Sequence, residues 1–204
     1  MDGRTRARSG WGVLGIATLL ALTSVVGCRS SAPPYDYKVE PDPRASEFHV
    51  GPLDQLSIVV WKNRELSAEV TVRPDGVITL PLIGDVKAGG RTPSDLQREI
   101  AKRLADFVRE EDVVVSVGVA SVNSYHFTVM GSVERAGLYS SKSYVTVVEA
   151  VALAGGPNRF AGDFVYVVRG TPARRVPIDL RRATSSEHAD ENLVVLAGDL
   201  IVVP

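Results

Sequence analysis

Apolar and polar positions follow regular periods along most of the chain, most tellingly in Val70 to Val86, VTVRPDGVITLPLIGDV. Val70 and Val72 alternate with Thr71 and Arg73, the period-2 pattern of a half-buried strand. Arg73-Pro74-Asp75-Gly76 predicts a tight turn. Pro74 presets φ, and Gly76 takes a positive φ without steric cost. Val77, Ile78 and Leu80 resume the strand, so the stretch predicts a hairpin. Pro81 removes a backbone donor and suits an edge or a strand end. Gly84-Asp85 predicts a two-residue hairpin turn. Upstream, Val50 to Leu56 predicts a turn into a buried strand, Ser57 to Trp61. Downstream, Thr92-Pro93-Ser94-Asp95 predicts a capped helix start. Leu96, Ile100, Leu104 and Phe107 then recur on one apolar face. Arg98, Lys102, Arg103 and Asp106 fall on the other side and read as a solvated face. Val113 to Val119 predicts a strand.

The rest of the chain carries its own set of elements. Tyr125 to Val133 predicts a strand running into a turn. Thr146-Val147-Val148-Glu149 is a full capping box, and Gly155-Gly156-Pro157 ends the short apolar helix that it opens. Phe164 to Arg169 and Val176 to Leu180 predict strands, and Arg181 to Asn192 a polar loop. Leu193 to Leu196 and Leu200 to Val203 predict a last strand pair around Ala197-Gly198-Asp199. The fold class expected is α+β, with residues 48–122 and 123–204 as two domains.

The N-terminus changes the picture. Arg4, Arg6 and Arg8 precede an apolar run from Trp11 to Val26. A spanning helix needs roughly 20 apolar residues, so this shorter run reads as a secretory signal peptide, residues 1–27. Val25-Val26-Gly27-Cys28 resembles a bacterial lipobox, and Cys28 is the only cysteine in the chain. Cys28 is therefore the expected lipidation site; a stop-anchor helix ending in an incidental Cys is the rival. Several acyl chains, at about 0.8 kcal/mol per buried methylene, anchor a protein stably. Arg29 in place of Asp favours the outer membrane by the sorting rule of enteric lipoproteins. Residues 28–47 are rich in Ser, Pro and charge and read as a tether. The formal net charge is −1, and residues 1–27 carry three Arg and one Asp, which leaves the remainder near −3. That argues against a nucleic-acid partner, which usually calls for a basic patch or stripe.

The string from Val70 to Val86 resembles the signature of the polysaccharide export family of outer-membrane lipoproteins, the Wza-like exporters of capsule and exopolysaccharide. Members usually show Pro-Gly-Asp before the first strand; here Leu53 occupies the position of that Gly, so a turn that needs a positive φ there is expected to bend differently. Gly131-Ser132-Val133, then Ala136-Gly137-Leu138-Tyr139, and the helix string VVEAVALAGG resemble the SLBB module, a β-grasp fold that accompanies the export domain. Ala136 stands where the family usually has Pro. The resemblance implies a polysaccharide export domain over residues 48–122 and an SLBB domain over residues 123–204. It further implies a homo-oligomeric ring that guides polymer outward and docks an inner-membrane copolymerase, often coupled to a tyrosine kinase. The archetypal exporter ends in an amphipathic helix that crosses the outer membrane. This chain ends at Pro204 just after a strand, so the expectation is a periplasmic adaptor serving a separate outer-membrane β-barrel porin.

The residues point to no enzyme. His49, His126 and His188 are far apart, without metal-ligand spacing. No nucleophile elbow, P-loop or dinucleotide fingerprint occurs. Asp54, Asp75, Asp85 and Asp199 sit in turn contexts, where Asp bonds its own backbone. No catalytic residue, metal ligand or cofactor is expected. The rival functions are a lipid-anchored SLBB module that binds a soluble ligand or carbohydrate, and a scaffold for the copolymerase, neither with a transport role.

Overall fold

The structure, a computed structural model, describes residues 34–107 and 114–204. It is an α+β fold built on two apolar cores. In the first, strand β1 (Gln55–Val60) lies between β2 (Ala68–Thr71) and β5 (Val115–Ser121), both antiparallel to it. Leu56, Ile58 and Val60 point inward, and Val59 between them is 49% exposed. The run expected as a buried strand is therefore covered on one face only. Strands β3 (Val77–Leu80) and β4 (Gly84–Lys87) form a separate antiparallel pair.

The turn at Arg73 to Gly76 forms as expected, with Gly76 N–H donating to the Arg73 carbonyl. The hairpin expected across it does not extend into a ladder. Val72 N–H goes instead to the Asp54 carbonyl at 2.9 Å, and Leu53 N–H to the Val72 carbonyl at 2.8 Å. These bonds hold β2 to β1 and leave β3 to pair with β4. The second turn also differs from expectation. Gly84 and Asp85 lie in β4, and the loop is Pro81, Leu82 and Ile83. Ile83 N–H donates to the Pro81 carbonyl across Leu82, whose φ is 64°. That three-residue reversal is a γ-turn.

Helix α1 (Pro93–Leu104) starts at Thr92, whose side chain accepts from Asp95 N–H. It buries Leu96, Ile100 and Leu104 against the first core. Phe107, expected on the same face, is 60% exposed. The helix stops at Leu104, so the spacing that would carry Phe107 inward is lost.

The second core lies on a five-stranded sheet, ordered β7 (Gly137–Ser140), β6 (His126–Gly131), β10 (Leu200–Val203), β8 (Phe164–Arg169) and β9 (Arg174–Asp179). Only β10 and β6 run parallel. Helix α2 (Val147–Leu153) packs on it through Val147, Ala150 and Val151, and both halves of its capping box are formed. Gly131 carries a positive φ of 97°, and a Cβ there would lie 2.0 Å from the Val203 carbonyl oxygen. Only glycine lets β6 end this close to β10.

Two expectations fail in this half. The stretch Arg181 to Asn192 is not a plain loop. It holds most of helix α3 (Leu180–Ala183) and a 3-10 segment, Ser186–Glu191. Asp179 caps α3 by accepting from the N–H groups of Arg181 and Arg182. Leu193 to Leu196 does not pair with β10. Val147 N–H donates to the Leu193 carbonyl and Val195 N–H to the Val145 carbonyl, so this run lies beside the segment that opens α2. Both cores lie within one compact unit, residues 32–204.

Candidate functional site

The turn before β1 is where the two cores meet. Leu53 keeps a positive φ of 71° although it is not glycine, so the turn is not bent differently, as the replacement of Gly suggested. The side chain is tolerated because it is 55% exposed. Asp54 follows, fully buried. One carboxylate oxygen accepts from Gly51 N–H at 2.8 Å and from the Ser124 hydroxyl at 2.8 Å. The other accepts from the N–H groups of Asn123 and Ser124, both at 2.7 Å. Asn123 also donates from its side-chain amide to the Leu53 carbonyl at 2.9 Å. The link between β5 and β6 is thus pinned to the turn that opens β1.

Asp199 repeats the local half of this arrangement. Its carboxylate accepts from Leu196 N–H at 2.8 Å, three residues back, and Gly198 before it has φ 83°. Asp199 is 2% exposed, and burial raises its pKa above the usual carboxylate value. Arg169 faces it at 2.6 Å and opposes that rise. The same guanidinium reaches Glu40 at 2.9 Å, and Arg174 reaches Glu40 at 3.0 Å. The Tyr35 hydroxyl donates to Glu40 as well. Two anions and two cations therefore balance at the edge of the second core.

The other residues singled out in the sequence fall apart in space or lie outside the described residues. Asp75 accepts from Val77 N–H, as a turn Asp does. Asp85 instead accepts from the Thr79 hydroxyl and pairs with Arg73. His126 lies on β6 and His188 in the 3-10 segment. Among the described residues, no three His, Cys, Asp or Glu side chains converge on a metal-sized site. Cys28, the signal peptide and the first part of the tether lie outside the described residues. The tether stretch from residue 34 on is docked: Tyr35 and Tyr37 pack on the second core, and the Tyr37 hydroxyl donates to the Pro177 carbonyl at 2.8 Å.

Sequence reasoning missed Glu40 and Arg169. Arg169 had a signal: it continues the inward parity of Val165 and Val167 along β8. Glu40 had none, because its cationic partners lie 129 and 134 residues away. No helix among the described residues is long and apolar enough to cross a membrane. An apolar cavity lined by Phe48, Val122, Tyr125 and Tyr144 measures about 60 Å³.

Comparison with known proteins places this architecture. Residues 42–118, from the docked tether through the Asp54 turn and into β5, match the polysaccharide biosynthesis/export protein family. The exopolysaccharide production protein ExoF of Rhizobium meliloti is 31% identical over 139 residues, 60% of this chain and 32% of that protein. The EPS I polysaccharide export outer membrane protein EpsA of Ralstonia nicotianae is 26% identical over 184 residues, 78% of this chain and 48% of that protein. The capsule polysaccharide export protein BexD of Haemophilus influenzae is 29% identical over 133 residues, 64% of this chain and 32% of that protein. The chain spans between about a third and a half of the length of these relatives. The relatives are named as polysaccharide production and export proteins.

Proposed function

We propose that this chain is a periplasm-facing outer-membrane lipoprotein of a polysaccharide export machine, not an enzyme. The observation that carries the reading is the family match over residues 42–118, which takes in the Asp54 turn and both strands of the β3–β4 pair. Outer-membrane placement is supported by the name of the Ralstonia relative. In this reading residues 1–27 are a lipoprotein signal peptide, Cys28 is lipidated, residues 28–47 lead from the membrane, residues 48–122 are the export domain, and residues 123–204 form the SLBB domain. The remaining features rest on the resemblance alone: a homo-oligomeric ring, an inner-membrane copolymerase or tyrosine kinase below it, and a separate outer-membrane β-barrel above it.

The test is complementation of a deletion strain. Wild type restores extracellular polymer, and Cys28→Ala, which has no thiol to acylate, leaves the membrane fraction and restores much less. Full rescue by Cys28→Ala would remove the lipid anchor from the account. Normal secretion without any complementing copy would move a binding-module role to first place.

A further inference from the structure

Residues 35–47 form a strap that meets the body through a buried carboxylate and through Tyr35 and Tyr37, which pack half-buried on the second core. Neither of its 3-10 turns, Tyr37–Val39 and Pro43–Ala45, buries a residue. Its deepest group is the Glu40 carboxylate, with no exposed side-chain surface, held by Arg169 at 2.9 Å and Arg174 at 3.0 Å. At its other end Glu47 accepts from the backbone N–H and the hydroxyl of Ser94, at 3.0 and 2.9 Å, in the first turn of α1. The strap therefore touches both cores. Immediately beyond it the chain is fixed: Val50 N–H donates to the Arg91 carbonyl and Gly90 N–H to the Val50 carbonyl.

A buried ion pair is usually hard to open, because one partner stays behind charged and unpaired. This body is built otherwise. With Glu40 gone, Arg169 keeps Asp199 at 2.6 Å and the Val194 carbonyl at 3.1 Å. Arg174 has a side chain 50% exposed, so water can solvate it. Undocking therefore leaves no orphaned charge on the body. Both features narrow the gap between the two states.

We propose that residues 35–47 are a releasable clasp, which docks and undocks while both cores stay folded and which couples the two cores when docked. The pin at Asp54 is then the permanent tie and the strap the reversible one. Since the strap follows the proposed attachment at Cys28, a pull from the membrane would reach the clasp before either core.

Hydrogen exchange on the full chain in detergent tests this. Strap amides should exchange about a hundredfold faster than those of β6 and β10, the signature of local opening. Glu40→Gln should speed strap exchange, and tryptic cleavage after Lys38 and Arg44, by about tenfold, the loss expected for one charge-assisted hydrogen bond. The β10 amides should not change. Arg174→Gln, at a half-exposed position, should act the same way and more weakly, and it keeps the test alive if Glu40→Gln does not fold. Coupling is read at the amides of Asn123 and Ser124, which should exchange faster in both variants. Strap amides that exchange only together with β10 would overturn the release. A loosened strap with unchanged amides at 123 and 124 would overturn the coupling.

Discussion

Leu53 holds a φ of 71°, in a region that costs an ordinary L-residue about 1–2 kcal/mol. The turn keeps that geometry because Asp54, next in the chain, gathers four donors from Gly51, Asn123 and Ser124. Leu53→Gly should therefore raise stability by up to about 1 kcal/mol, and Leu53→Val, β-branched, should lower it by about as much, read from urea midpoints. Asp54→Ala strands several buried donors at once and should cost about 3 kcal/mol or more. A loss below about 1 kcal/mol in the same urea series would mean that the pin at the junction does not matter. Half of Asp54 was legible in advance: its turn position and its bond to Gly51 follow from local sequence. The other half was not, since Asn123 and Ser124 lie 69 and 70 residues away.

At the scale of elements, local chemistry and ladder pairing part company. Pro74 and Gly76 made their turn legible, yet the turn does not decide which strands pair. Val72 is drawn to Asp54, so β2 and β3 enter different sheets. The capping box at Thr146 was legible in full, because all its partners lie within one turn. The run Leu193 to Leu196 was not, because its partners at Val145 and Val147 come from a different part of the chain. Gly131→Ala forces a methyl onto the Val203 carbonyl and should cost about 3 kcal/mol or more, measured by thermal or urea unfolding. At the start of α1, the Ser94 backbone and hydroxyl bonds hold the Glu47 pKa below its ordinary 4.5. That stabilisation is fully present above pH 4.5 and is lost as pH falls through the lower folded value. Stability curves of wild type and Glu47→Gln should therefore differ at neutral pH and converge in acid. Asp199 has the opposite sign. Its pKa is raised by burial, so its ionisation subtracts stability as pH climbs from 3.8 to the raised value.

For the whole molecule, two cores share one compact unit, tied by the Asp54 pin and the strap. The α+β class was legible because each core is built from strongly periodic local segments. The docking of residues 34–47 was not, since the stretch has no apolar period and the partners of Tyr37, Glu40 and Glu47 lie far along the chain. Residues 42–118 of this body match the polysaccharide biosynthesis/export protein family. The most direct test is the ratio of extracellular to periplasmic polysaccharide in a clean deletion strain. Export predicts that the ratio collapses, with polymer trapped in the periplasm, and recovers when wild type is returned. An unchanged ratio, with normal amounts outside the cell, would contradict it.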